Sequence, residues 1–117
     1  MAMTLSEVQE VVLQFFAASG AAALKLPDGW LGRPYDNRYR LTDMSILDGG
    51  LRLELDGSRD LTIFGNPNAE VGGNVLQIAR FDLAEWRSIE AGKSASADRF
   101  YTDGLIEFFA PSTSFRG

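Results

Sequence analysis

Histidine and cysteine, two residue types that often carry catalysis or bind transition metals, do not occur in this chain of 117 amino acids. Their absence excludes a Ser/His/Asp triad, a thiolate nucleophile and the usual ligand sets of zinc sites. The glycine pair Gly72-Gly73 is not followed by the Lys and Ser/Thr of a phosphate-binding loop, and no G-x-G-x-x-G motif occurs. Any chemistry would therefore rest on carboxylates, and we expect no cofactor and no metal ion.

Two carboxylates, Asp56 and Asp60, enclose a short turn and by their spacing could share a cation. A calcium loop of the EF-hand type needs a bidentate glutamate at its twelfth position, and the twelfth position counted from Asp56 is Pro67. Aspartates in such turns commonly accept hydrogen bonds from nearby backbone groups. We therefore interpret Asp56 and Asp60 as turn residues rather than metal ligands.

Residues 27–40 differ in composition from the rest of the chain. This segment, called the 27–40 segment below, combines aromatic residues and arginines with two prolines and two glycines that favour an irregular backbone. Trp, Tyr and Arg contribute most of the free energy at many binding interfaces, and loops on a rigid scaffold often carry function. Six of its residues are candidate binding residues: Asp28, Trp30, Arg33, Tyr35, Asp36 and Arg38.

Charge also separates this segment from the remainder. Residues 25–40 carry four basic and two acidic side chains, a net charge of +2, whereas the other residues sum to −7. The leading hypothesis is a non-enzymatic binding module that recognises a protein partner or a small anionic ligand through residues 30–40.

Two other interpretations of the segment remain open. In a small carboxylate-dependent enzyme, Asp28 or Asp36 would act as the base while Arg33 orients an anionic substrate. In a purely structural role, Trp30 and Tyr35 would fill the core, and Arg33 would pair with one of the two aspartates. A pocket lined by the aromatic residues and a partly buried carboxylate would favour the enzyme or a ligand site, and a flat or convex patch would favour a protein partner.

The net charge of −5 opposes binding to phosphate backbones and anionic lipids. No apolar run approaches the roughly 20 residues that span a bilayer. The first ten residues contain no Lys or Arg, so the basic start of a secretory signal is missing. We therefore expect a cytoplasmic protein with no nucleic-acid and no membrane partner.

An amphipathic helix is predicted over about residues 5–19. Thr4 and Glu7 have capping-box spacing, and Gly20 suits the helix end. The apolar residues fall on one face at about 100° per residue: Leu5, Val8, Val11, Val12, Phe15 and Phe16.

Strands are predicted next. Leu51, Leu53 and Leu55 alternate with polar residues, which indicates a half-buried strand within a β-meander over about residues 38–65. A shift of phase predicts a bulge near Thr42-Asp43. Further predictions are a strand over about 74–81, a short helix over about 83–90, an aromatic strand pair over about 99–110 and a frayed tail over 112–117.

The predicted architecture is a single α+β domain covering residues 1–117. An N-terminal helix packs on a mostly antiparallel sheet of five or six strands, with the second short helix near residues 83–90. The C-terminal strands carry more apolar side chains than one face buries against a single helix, for example Phe100 and Tyr101. We therefore also expect a homodimer through the C-terminal strands.

Overall fold

The computed structural model describes residues 3–30, 38–57, 59–88 and 96–110, without the side chains of residues 30, 38, 88 and 96–98. Within these ranges the chain forms one α-helix and eleven strands. In chain order they are α1 (Leu5–Ser19), β1 (Ala22–Leu26), β2 (Gly29–Trp30), β3 (Arg38–Tyr39), β4 (Leu41–Leu47), β5 (Gly50–Leu55), β6 (Arg59–Phe64), β7 (Asn68–Gly72), β8 (Val75–Ala79), β9 (Leu83–Ser88), β10 (Ser96–Tyr101) and β11 (Leu105–Phe109).

The helix has the predicted bounds and the predicted cap. The Thr4 backbone N–H donates to Glu7 Oε1 at 2.8 Å, and the Glu7 N–H donates to Thr4 Oγ1 at 3.1 Å. At the other end, Gly20 has φ +80°, which favours glycine, and its N–H donates to the Phe16 carbonyl. In the described part of the chain, no helix is long and apolar enough to cross a membrane.

The strands form two antiparallel sheets. The six-stranded sheet has the order β2-β1-β11-β8-β7, and β3 also pairs with β1. The five-stranded sheet has the order β10-β9-β6-β5-β4. The α+β class, with an N-terminal helix on antiparallel strands, is therefore confirmed, while the strands are divided between two sheets instead of one.

The central meander is confirmed as β4, β5 and β6. The β4–β5 register shifts between Leu41 and Asp43, where the bulge was predicted. Between these strands Asp48 and Gly49 form a two-residue turn with φ of 53° and 78°. Positive φ at both central residues is the mark of a type I′ hairpin, whose twist matches that of the strands.

The predicted helix over residues 83–90 is wrong for the part that the structure describes. Residues Leu83–Ser88 form β9, which pairs with β6 on one side and β10 on the other. Ala84 and Trp86 are buried, as strand alternation requires. Two neighbouring strands override the weak helical spacing of Leu83 and Trp86. Residues 89 and 90 lie outside the described residues.

The two C-terminal strands are confirmed, but they do not pair with each other. β10 is the last strand of the five-stranded sheet, and β11 lies between β1 and β8 in the other. Phe108 on β11 is fully buried, whereas the Phe100 residue on β10 is 61% exposed. Phe108 is therefore a core residue, whereas Phe100 lies at the surface of an edge strand.

The helix and both sheets share one hydrophobic core. Helix α1 contacts β7 of one sheet and β4 and β5 of the other. The Phe16 ring meets the Phe108 ring edge-on, with 5.2 Å between centroids. The inner face of the five-stranded sheet contributes fully buried leucines, Leu51, Leu53, Leu55 and Leu61. The helix and the two sheets therefore bury their apolar side chains against one another.

Gly50 gives a test of this packing. A Cβ built on Gly50 lies 2.7 Å from Cε1 of the Phe64 ring, which covers it from the neighbouring strand. Gly50→Ala is therefore expected to lower the free energy of unfolding by about 1–3 kcal/mol, measured by urea denaturation. Gly72→Ala is the matched control, because nothing lies within 4 Å of its Cβ. Equal effects of the two substitutions would contradict the close approach at Gly50.

Candidate functional site

Both ends of the 27–40 segment are fixed on β1. Trp30 of β2 is paired with Lys25, and Arg38 of β3 is paired with Ala23. The described residues on either side of 31–37 thus pair with neighbouring positions along one strand. That strand is rigidly held, since Ala23 and Leu24, which lie on opposite faces, are 1% and 0% exposed.

Three of the six candidate residues fall within the part of the chain that the structure describes. Asp28 lies in the turn between β1 and β2, Trp30 in β2 and Arg38 in β3, the last two described by their backbone alone. The other three, Arg33, Tyr35 and Asp36, lie outside the described residues.

Asp28 joins the base of the segment to the five-stranded sheet. The Tyr101 hydroxyl donates to Asp28 Oδ1 at 2.9 Å, and Arg99 Nη1 lies 3.6 Å from the same oxygen. Burial raises the pKa of the Tyr101 hydroxyl above its usual value. Sequence reasoning missed both β10 residues, because 73 residues separate Asp28 from Tyr101 and no local pattern signals their contact.

The Asp28 side chain is 56% exposed. A carboxylate acting as a general base near neutral pH usually needs a buried, water-poor surrounding. The position of Asp28 therefore gives no support to the enzyme interpretation, and Asp36, its other possible base, lies outside the described residues.

Tyr39 anchors the other end of the segment. Its side chain is buried, with its ring centroid 6.0 Å from that of Trp86. The Arg59 guanidinium carbon lies 5.6 Å from the centroid of the Tyr39 ring, within the range of a cation–π contact. Burial raises the pKa of the Tyr39 hydroxyl; nearby Arg59 partly opposes that effect, and Asp56 adds to it. Tyr39 is therefore a core residue.

A polar cleft of about 380 Å³ lies where the segment ends, lined by Ala21, Arg40, Thr42 and Asp56. The Arg40 backbone N–H donates to Asp56 Oδ1, and the Asp56 N–H donates to the Arg40 carbonyl, both at 2.9 Å. Thr42 Oγ1 accepts the N–H of Gly57 at 3.0 Å. These bonds fix the backbone of Arg40, whose exposed side chain borders the cleft.

The two aspartates interpreted as turn residues have different roles. Asp56 lies in the β5–β6 turn with φ 55°, and its carboxylate holds the backbone of Arg40. Asp60 instead belongs to strand β6, is buried, and has Oδ1 3.0 Å from Arg52 Nη2. The turn position is thus confirmed for Asp56, although its carboxylate accepts a hydrogen bond from Arg40 and not from its own turn. It is wrong for Asp60, where strand pairing with β5 and β9 extends to the strand's first residues.

Arg52 is the centre of an ion-pair cluster on the outer face of the five-stranded sheet. Its guanidinium lies within 3.6 Å of Asp43 and within 3.0 Å of Glu54 and Asp60. Each of these carboxylates thus has Arg52 as an ion-pair partner. Among the described residues, no group of three or more potential metal ligands is close enough to hold an ion.

A larger concavity of about 420 Å³ lies beside the helix. Its described lining has no ionisable side chain and comes from α1, β7, the β7–β8 turn and the end of β11: Val11, Gln14, Phe15, Ala18, Ser19, Val71, Gly73, Asn74 and Ala110. It shares no described lining residue with the 27–40 segment. We therefore place the candidate site at the segment, where charge and aromatic residues coincide.

Tyr39 makes stability depend on pH in the alkaline range. Its pKa is raised in the folded chain above the unfolded value of 10.0, so its contribution is fully present below pH 10.0 and is lost as pH rises through the folded pKa. Tyr39→Phe is therefore expected to flatten the fall in unfolding free energy above pH 10.0, measured by urea denaturation. Identical slopes for both proteins would contradict this.

The 27–40 segment brings together fixed strand ends, a buried tyrosine and a cleft bordered by arginine. No protein-family model, no curated protein and no solved structure matches the chain.

Proposed function

We propose that this chain is a non-enzymatic binding module that recognises anionic groups through residues 30–40. The anionic groups would be carboxylates or phosphates presented by a protein partner or by a small ligand. Arg33 and Arg38 would contact the charge, and Trp30 and Tyr35 would supply apolar contact area. Asp28 would hold the base of the segment through Tyr101 and Arg99.

The observation that carries the proposal is the attachment of both segment ends to β1. A loop whose ends are fixed on a buried strand loses less conformational entropy on binding than a loop with free ends. Tyr39 strengthens this attachment, because its ring packs against Trp86 in the core. The segment therefore has the support that a recognition loop requires.

Electrostatics supports an anionic partner. The net charge of +2 on residues 25–40 is set in a chain whose other residues sum to −7. A local positive patch on an acidic protein attracts an anionic group at short range, while the rest of the chain repels extended polyanions such as nucleic acids. Binding should accordingly weaken as salt is raised, since exposed charge pairs are screened.

Photo-crosslinking tests where the partner binds. A benzophenone amino acid replaces Tyr35 in one protein and Leu13, an exposed helix residue, in a control protein. We expect a partner adduct from position 35 but not from position 13, and loss of that adduct when Trp30→Ala and Arg33→Ala are added. Adducts of equal yield from both positions, or an adduct that survives the double substitution, would contradict the assignment.

A small ligand is tested separately with citrate and inorganic phosphate as probes. ¹H–¹⁵N spectra should then change at Gly29, Tyr39 and Arg40, which flank the segment, at concentrations where chloride causes no change. If neither probe changes these resonances and no protein adduct forms, the binding function is overturned.

A further inference from the structure

The edges of the two sheets differ in how they are protected from pairing with another chain. An exposed strand edge presents unpaired backbone groups, and proteins usually cover it or place charges, prolines or bulges there. In the described residues, the edge of β1 is paired with β2 and β3. On β7, which contacts α1, Met3 Sδ accepts the N–H of Ala69, and the next residue, Glu70, is exposed and charged. Each of these two edges therefore carries some protection.

The five-stranded sheet ends in β10 and β4. β10 contains Asp98 and Arg99 and is interrupted by a bulge between Ala97 and Arg99. β4 has its bulge and its one charged residue, Asp43, in its first half. Residues 44–47 have no charge, no proline and no bulge, and no described strand pairs with their outer side. This half of β4 is the least protected edge in the described part of the chain.

Aliphatic side chains flank this edge on both faces of the sheet. Ile46 is opposite buried Leu51 and therefore on the inner face, yet it is 36% exposed because no strand lies beyond it. Leu47 is on the outer face and 65% exposed. Helix α1 contacts β5 as well as β4, so it lies over the inner face of the five-stranded sheet. It therefore leaves the outer edge of β4 uncovered. An added strand would bury apolar surface on both faces.

We infer that a second copy of this chain pairs with β4, antiparallel strand to strand, to continue the five-stranded sheet across a two-fold axis. With Ser45 opposite Ser45 of the second copy, Met44 faces Ile46 and Asp43 faces Leu47. Shifting the register by one residue would place inner-face residues of one copy opposite outer-face residues of the other, because successive side chains alternate between the faces of a strand. The Ser45 register keeps inner residues opposite inner residues and pairs all of residues 44–47.

This inference is independent of the proposed binding function and relocates the expected homodimer. Of the two C-terminal strands, β11 has no free edge, because it is paired on both sides with β1 and β8. The other strand, β10, is an edge strand whose Phe100 is exposed. The two candidate edges, β4 and β10, lie at opposite ends of the same sheet, so single substitutions separate them.

Sedimentation equilibrium of the full chain with matched substitutions tests the interface. At about 0.15 M NaCl, where repulsion beyond about 8 Å is screened, the wild-type mass should rise with concentration from 12.8 kDa toward twice that value. Leu47→Glu places like charges opposite Asp43 and should weaken the dimer by about tenfold or more, because symmetry repeats the change at both ends. Leu47→Lys places opposite charges there and should preserve it.

Phe100→Glu is the control, since it changes net charge by the same amount at the β10 edge. The dissociation constant of its dimer should stay within about twofold of the wild-type value, as expected for a substitution outside the interface. A wild type that stays at 12.8 kDa at every concentration would overturn the inference. So would a dimer that Phe100→Glu weakens more than Leu47→Glu. Urea denaturation of each variant verifies that the monomer is folded.

Discussion

Phe108→Ala is expected to lower the free energy of unfolding by about 3–5 kcal/mol. Phe108 is fully buried in the centre of the six-stranded sheet, where β11 lies between β1 and β8. Its ring also meets Phe16 of the helix, so the substitution leaves a cavity at the contact between the helix and the sheet. Domains of this size are usually stable by about 5–15 kcal/mol, and the loss is therefore a large fraction of the total.

Urea denaturation followed by circular dichroism measures this loss, and Phe100→Ala is the matched control. Phe100 is 61% exposed, so its truncation should change stability by no more than about 0.5 kcal/mol. Similar effects of the two substitutions would contradict the placement of Phe108 in the core and of Phe100 at the surface.

Replacing Trp30 and Arg33 together by alanine is expected to weaken partner binding by about 100-fold or more, because truncation of a central binding residue commonly costs about 2 kcal/mol or more. Trp30 would supply apolar contact area, and Arg33 would supply two N–H donors to an anionic group. Calorimetric titration with the partner obtained by crosslinking at position 35 measures the change.

Arg87→Ala is the control for the loss of a positive charge. Arg87 lies on the outer face of the five-stranded sheet and pairs with Glu85 at 3.0 Å, and its side chain is 40% exposed. Because the Glu85 side chain is only 15% exposed, urea denaturation first verifies that this variant is folded. The folded variant should bind like the wild type. Equal loss of affinity in both variants would mean that overall charge, and not the 27–40 segment, governs binding.

Local features of the fold were accessible from the sequence. The capping box at Thr4 and Glu7, the apolar face of α1 and the alternation of Leu51, Leu53 and Leu55 each depend on neighbouring residues only. The β4 bulge was also predictable, because a shift in the alternation of side chains marks the extra residue.

Pairing between strands that are distant in the sequence could not be predicted from such local patterns. Residues 83–88 contain spacings that suit both a helix and a strand, and their position between β6 and β10 decides in favour of the strand. The division into two sheets has the same origin, since it depends on β11 joining β1 and β8 rather than its sequence neighbour β10. No local pattern encodes such partners.

The candidate site was predictable in composition and only partly in structure. Charge and aromatic content identified the 27–40 segment, because both are properties of residue types. The contacts that support it come from elsewhere in the chain: Tyr101 and Arg99 reach Asp28 from β10, and Trp86 packs on Tyr39 from β9. These contacts depend on how the two sheets face each other.

Chemical-shift mapping with the crosslinked partner, or with citrate if a small anion is the ligand, tests the central proposal most directly. The proposal predicts that the amide resonances of Gly29, Tyr39 and Arg40 change and that Trp30→Ala with Arg33→Ala abolishes the change. Resonances on α1 and the β7–β8 turn, around the 420 Å³ concavity, should stay constant. Changes confined to that concavity, with the residues flanking the 27–40 segment unaffected, would contradict the proposed binding site.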